Sequence, residues 1–290
     1  MGLDGAVTFV LDHASAVQCT LFVMMFAGGW IAEKIVNTQQ TAAKLRHTGF
    51  NLAFLALVTP VQLVLITACL GVAEWVTLHH WGLVYLIPGT GNIWLRYGLT
   101  FLMLDFLDYA YHYMAHRVPA FWRLHLVHHS DEAVDVSTTF REHPAETAIR
   151  VSFLTLWVFI CGASVPVLIL RQTAETFANV GQHLTFRLPP RAARIMGWLF
   201  VTPNLHHMHH HCRLPGTNCN YGDVFSIWDR IFGTYVVRPT ETIVFGIDSH
   251  MAEGASTSFG GLLGITALTR RLRRRTAEPP VFSASVATEA

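Results

Sequence analysis

Charge is what this chain has least of. Only 13% of its 290 residues are Asp, Glu, Lys or Arg, about half the share usual in a soluble domain. With 52% hydrophobic residues and a mean hydropathy of +0.37, that is the composition of a membrane protein. A net charge of +1 argues for neither nucleic acid nor a strongly acidic partner. Cysteine is scarce and unpaired in pattern: Cys19, Cys69, Cys161, Cys212 and Cys219. An odd, scattered set excludes a disulfide framework. The first three lie in apolar runs as small core residues, and Cys212 and Cys219 match no zinc spacing. Lys and Arg are missing before Lys34, so the basic region of a cleavable signal peptide is lacking. No internal repeat and no second soluble domain is visible.

Long uncharged runs are present. Residues 15–31 are long enough for a first membrane helix, and residues 50–73 for a second, with Pro60 as a kink. Residues 33–46 read as a polar link carrying Lys34, Lys44 and Arg46. Residues 74–91, aromatic and Gly-rich, read as an interfacial or re-entrant connector. Residues 93–111 are apolar apart from Arg96, Asp105 and Asp108. Residues 151–170 form one span or, with Gly162 and Pro166, the first half of a hairpin that returns over 165–186. The hairpin is favoured because it keeps the histidine clusters that begin at His112 and His206 on one side. Residues 259–269 are apolar but too short to span. Residues 270–275 are basic, and 276–290 read as a disordered tail. The expectation is an all-α integral-membrane bundle of about four spans with a cytoplasmic helical cap. Its segments are 1–92, 93–240 and 241–290. Positive charge collects after the first span and around the histidines, which puts those regions in the cytoplasm and the N-terminus outside.

Ten histidines crowd two short windows. DFLDYAYHYMAHRVPAFWRLHLVHH supplies His112, His116, His125, His128 and His129. TPNLHHMHHH supplies His206, His207, His209, His210 and His211. On a helix, residues three and four apart share a face, so HxxxH and HxxHH each aim imidazoles in one direction. Eight such ligands (His112, His116, His125, His128, His129, His206, His209 and His210) exceed the needs of one ion and imply two metals. Clustering of this density is costly without a metal partner. A lone histidine is more simply structural, which is the reading for His13, His47, His79, His80 and His250. The last box allows a second register, His207, His210 and His211. Thr202 as N-cap and Pro203 at the first helical position start a helix just before it. An all-imidazole set suits several first-row metals.

These boxes and their flanks, FREHPAE, QHLTFRLPP, TPNLHHMHH and TNCNYGDVFSIWDRIFGTY, resemble the fatty acid hydroxylase superfamily, also called the sterol desaturase family. The resemblance spans residues 105–235. Tyr113 stands where family members often carry Arg. The resemblance implies two iron ions, O2 as co-substrate, and hydroxylation or desaturation of a sterol, fatty acyl or ether lipid. It adds His143 and His183 as ligands, favours the His206 register, and puts Asp105, Asn218 and Tyr221 around the centre. Asp105 is expected to accept from the far N–H of a ligand imidazole; Asp108 is either that or a salt-bridge partner. Trp228, Phe232 and Tyr235 read as one packing face. With no fused haem or flavin module, electrons are expected from a separate NAD(P)H-linked ferredoxin- or cytochrome-type donor. Two other classes compete. A bis-histidine haem electron carrier leaves eight clustered ligands unexplained. A metal transporter predicts histidines strung through the spans.

Overall fold

A computed structural model describes residues 13–36, 41–213, 216–238, 243–248 and 258–264. Its long helices are α1 (Ala14–Val36), α2 (Thr41–Leu78), α3 (Ile93–Arg117), α4 (Pro119–His129), α5 (Pro144–Cys161) and α6 (Val165–His183). Four short helices follow: α7 (Pro190–Met196), α8 (Pro203–His209), α9 (Ile227–Ile231) and α10 (Phe259–Leu263). Among the described residues there is no β-strand, only two isolated bridges. The all-α membrane bundle is thus the observed fold class. The basic run, the tail, His250 and most of the 241–290 segment lie outside the described residues.

Among the described residues three helices are long and apolar enough to cross a bilayer: Ala16–Val36, Thr41–Leu86 (a helix running into a 3-10 turn) and Pro144–Cys161. The expected count was about four. The Ile93 segment falls short because Arg96, Asp105 and Asp108 interrupt it. Only 6% of the first window and 17% of the second are buried within the protein. Val23, Met24, Leu63 and Val64 stand exposed on them, and a lipid environment is what covers such surfaces.

The helix α2 is longer than the expected 50–73 run. Its 38 residues reach about 57 Å at 1.5 Å per residue, well beyond a hydrocarbon core of about 30 Å. Its first turns therefore stand outside the apolar layer, and they bury Lys44, Thr48 and Asn51. This corrects the reading of 33–46 as a simple polar link. Glu33 and Lys44 are inside the protein, 2.7 Å apart, and Lys44 also meets Asp135 at 2.9 Å. His47 pairs with Asp131 at 2.9 Å and Asp135 at 3.3 Å.

The hairpin is real. α5 ends at Gly162, whose φ of +80° is left-handed, a conformation that glycine adopts freely. A Cβ on Gly82 would lie 2.4 Å from the Gly162 nitrogen, so the connector after α2 packs directly on this turn. Pro166 then sits in the first turn of α6, where its missing N–H costs nothing. An apolar core of Cys69, Ala73, Leu104, Leu154, Val158 and Val167 ties α2, α3, α5 and α6 together. A second core joins Phe50 and Phe54 to Leu126, Val127 and α10.

Candidate metal centre

Four helices deliver the histidines. His112 and His116 lie one turn apart near the end of α3. Pro119 opens α4 two residues after α3 stops, so the chain doubles back and presents His125, His128 and His129. His183 closes α6. Thr202 accepts from the Leu205 N–H as N-cap of α8, with Pro203 behind it; such a cap contributes about 1 kcal/mol.

The side chains converge as two groups. His112, His116, His125, His129 and His209 form one; His128, His183, His206 and His210 form the other, with donor atoms within 4.8 Å of one another in each. Rings from the two groups touch, as with His129 and His210 at 4.5 Å. The α8 register is therefore His206, His209 and His210. His207 instead accepts from Arg187 Nε at 2.9 Å, and His211 pairs with the Val244 backbone.

The outer ring nitrogens fix the inner ones. His112 Nδ1 donates to the Tyr221 carbonyl at 3.0 Å, and His209 Nδ1 to the Cys219 carbonyl at 2.7 Å. His128 Nδ1 donates to the Arg141 carbonyl at 3.3 Å, and His183 Nδ1 to the Asn179 carbonyl at 2.8 Å. His125 Nδ1 donates to Glu146 Oε1 at 2.6 Å. A carbonyl only accepts, so each Nδ1 facing one carries the proton and each Nε2 presents a lone pair.

The Nε2 atoms then face one another. His183 Nε2 stands 3.2 Å from His128 Nε2 and 3.0 Å from His206 Nε2, and His210 Nε2 is 3.1 Å from His206 Nε2. In the first group Nε2 of His112, His125 and His209 is buried with no hydrogen-bond partner. Imidazole donors held about 2.0–2.1 Å from one ion stand about 3 Å apart, so the spacing fits a shared cation. Protons do not replace it. Burial pushes His125 down to about 4 and holds His128, His129, His206, His209 and His210 well below the usual imidazole value. Two all-nitrogen nests, neutral at pH 7, fit two metal ions.

The remaining expected residues fall differently. Nothing brings His143 to either group: its Nδ1 accepts from the Ala145 N–H and caps α5. Proline at 144 fixes that helix start, so the ring is used as a cap. Asp105 meets no imidazole. Its carboxylate accepts from Val224 N at 3.2 Å and Trp228 Nε1 at 2.7 Å, and so anchors the loop that carries Tyr221. Asp108 pairs with Arg171. Asn218 lies beside His116. Tyr221 acts through its carbonyl, while Tyr113 packs edge-on against its ring at 5.3 Å. Trp228 and Phe232 pack on Phe106.

Sequence reading missed three contributors. Glu146 orients His125. Asp229 accepts from the N–H groups of Tyr221 and Gly222 at 2.7 and 2.8 Å, fixing the carbonyl that holds His112. Arg141 is fully buried and reaches the Val127 carbonyl and Ser130. Carboxylates inside apolar helices and next to ligand boxes are the signal that would have found the first two.

The arrangement defines a membrane-embedded helical protein with nine histidines in two nests that could each hold a metal ion. The fatty acid hydroxylase pattern matches residues 97–234, a segment that includes every histidine of both nests, and that segment is of that family. An ornithine lipid hydroxylase of Rhizobium tropici is 31% identical over 54% of this chain and 46% of its own. An alkylglycerol monooxygenase of Xenopus tropicalis is 30% identical over 51% of this chain and 32% of its own. A cholesterol 25-hydroxylase of Rattus norvegicus is 24% identical over 62% and 61%. The chain thus spans less than half the length of the first two relatives. No solved structure matches it.

Proposed function

We propose that this chain is a membrane-bound di-iron oxygenase that hydroxylates or desaturates a lipid, with residues 93–240 as its catalytic part. The observation that carries the reading is the pair of imidazole nests, whose ring nitrogens crowd together with no carboxylate in either nest. The three relatives named above are each named for hydroxylation or oxygenation of a lipid, which supports the substrate class. His112, His116, His125, His129 and His209 would hold one ion; His128, His183, His206 and His210 would hold the other. Iron held there supplies the redox capacity to activate O2 and oxidise an unactivated C–H bond, which no side chain can do.

The chain's own residues supply position and dryness. A cavity of about 470 Å3 reaches His112, His125, His128 and His206, within the range of sites for small ligands. Its apolar wall comes from the membrane helices, through Leu21, Phe22, Met25, Leu55 and Val58. A lipid chain lying along that wall presents its C–H bonds to the nests. Carbonyls of Cys219, Tyr221, Asn179 and Arg141 keep the imidazoles in one tautomer and orientation. Hydroxylation balances as one C–H bond and O2 taking two electrons and two protons to give one C–OH and water. The two electrons come from a separate NAD(P)H-linked ferredoxin- or cytochrome-type donor. The nests lie on the cytoplasmic side, where such donors work and where the chain's positive charge collects.

The test is turnover of the purified protein in detergent with labelled O2. NAD(P)H alone gives no product; adding donor and reductase gives oxygen-dependent product, with one labelled atom if it is an alcohol. Product formed without O2, or an alcohol lacking the label, contradicts the oxygenase reading.

A further inference from the structure

Two segments on either side of α8 and its loop carry an apolar face that no described residue covers. Ile195, Trp198, Ile231 and Phe232 keep 70%, 65%, 60% and 54% of their surface exposed, with Leu199 and Phe200 beside them. The segments form one unit. The Val201 N–H donates to the Val224 carbonyl at 3.0 Å, and the Ser226 N–H to the Leu199 carbonyl at 2.9 Å. Ser226 Oγ and Arg230 Nη2 both donate to the Gly197 carbonyl at 2.8 Å. An exposed apolar face of this kind meets something other than water.

Depth and charge say what it meets. The unit docks on α3, with Phe225 against Phe101 at 5.9 Å, and Trp228 and Phe232 against Phe106 at 5.1 and 5.7 Å. Phe101 and Leu104 in turn pack with Cys69, Ala73 and Val158, which belong to the spanning helices α2 and α5. Phe101 lies 11 residues before His112, about 16 Å along a helix. That is about half of a hydrocarbon core, on the membrane side of the nests. Asp229, the only carboxylate in residues 190–200 and 224–232, is buried. Arg191 and Arg194 are exposed on α7. Arg230 lies over the rings of Trp198 and Tyr235, at 4.3 and 3.7 Å. Apolar side chains edged by tryptophan and guanidinium groups suit a membrane interface. Helices of seven and five residues do not span; they enter one leaflet and return.

We propose that residues 195–200 and 227–232 form a wedge inserted into the bilayer leaflet nearest the nests, and that its partner is the lipid itself. The wedge does not depend on the reaction proposed above. It seats the last histidine box in the membrane. Val201 leads into the Thr202 cap of α8, and Asp229 holds the loop whose Tyr221 carbonyl orients His112.

The test reads contact with lipid and with water separately. Cys19→Ser removes the exposed cysteine, and the other four are buried. In that full chain Ile195→Cys, Leu199→Cys and Ile231→Cys are each labelled with bimane and placed in phosphatidylcholine vesicles. Leu63→Cys, exposed on α2, is the lipid control; Ala133→Cys, exposed in the loop after α4, is the water control. Phosphatidylcholine brominated on its acyl chains should quench the three wedge labels as fully as the Leu63 label. Iodide in the water should quench the Ala133 label and lose most of that effect at the wedge. Iodide quenching as strong at the wedge as at Ala133 means that the face stands in water, and overturns the proposal. Labels that neither quencher reaches mean that protein covers the face, a second copy included, and overturn it equally. Trp198→Phe gives a check without a label. The fluorescence it removes should be fluorescence that brominated lipid quenches in the wild-type chain; if brominated lipid leaves that part unquenched, the wedge is not in the bilayer.

Discussion

Two buried polar clusters meet at residues 130–141, and they are built on opposite rules. In the first, Glu33, Lys44, His47, Asn51, Asp131 and Asp135 alternate donor and acceptor. Glu33 Oε1 accepts from the backbone of Val136 and Thr185, Lys44 bridges Glu33 and Asp135, and Asn51 donates to Asp131 and Ser137. In the second, nine imidazoles crowd together as two nests with no carboxylate in either. The first cluster is complete with protein atoms alone. The second leaves ring nitrogens buried without a partner, and it could hold cations. Burial does not distinguish them; pairing does. An unpaired buried polar group points to a missing ligand, and a paired one points to a fastener.

Removing one imidazole should have the largest effect. His206→Ala leaves a three-ligand nest, so metal per chain should fall by about one ion, and activity by more than the 10–100-fold typical of losing a group behind a ligand. His207→Ala, one residue away but turned to Arg187 and Phe245, should retain full metal. Elemental analysis of both variants checks this; the reverse pattern would merge the two registers and dissolve the distinction drawn here.

Lys44→Ala should act on the other cluster. It strands Glu33 and Asp135, both buried, and breaking a buried ion pair on one side costs about 3–5 kcal/mol. The expected outcome is a large drop in thermal stability with two metals still bound per folded chain. Metal loss from protein that is still folded would show that the fastener is part of the centre.

The smallest effect, and the sharpest contrast, is in acid. In metal-free protein the imidazoles are neutral when folded. Burial holds His125 near 4, whereas an unfolded histidine titrates near 6.5. The unfolded chain therefore binds more protons, and stability falls as pH drops from about 6.5 to about 4. Asp131 is also held low, but by its partners and against its burial. Burial alone would raise it, but bonds from His47 and the charge of Arg141 hold its carboxyl well below the usual range. Its stabilisation is present above about pH 4 and is lost as pH falls through the lower folded value. Melting curves of chelated protein should show two separate acid windows. Asp131→Asn should remove the lower one and leave the upper.

How much of this was legible in the sequence follows the same division. Helical spacing alone aligned the HxxxH and HxxHH faces, and the turn residues Gly162, Pro166, Thr202 and Pro203 marked the hairpin and the start of α8. The resemblance added His183, and it joined His128 in a nest 55 positions away in the chain. What spacing could not show was long-range pairing. Glu33 and Lys44 read as the polar ends of spans because nothing local reveals that Asp135, 91 positions beyond Lys44, closes on them. Asp105 was assigned to an imidazole on the resemblance; its helix face instead turns it to Val224 and Trp228. His143 was misplaced for a related reason: proline after it makes a cap position, and a histidine there has a local use.

The central claim is that the nine histidines hold two ions. The most direct measurement is elemental analysis of detergent-purified protein expressed with iron, alongside a quantified protein concentration. The account predicts close to two metal ions per chain, falling to about one in His206→Ala. A reproducible value at or below one in folded wild-type protein would contradict it.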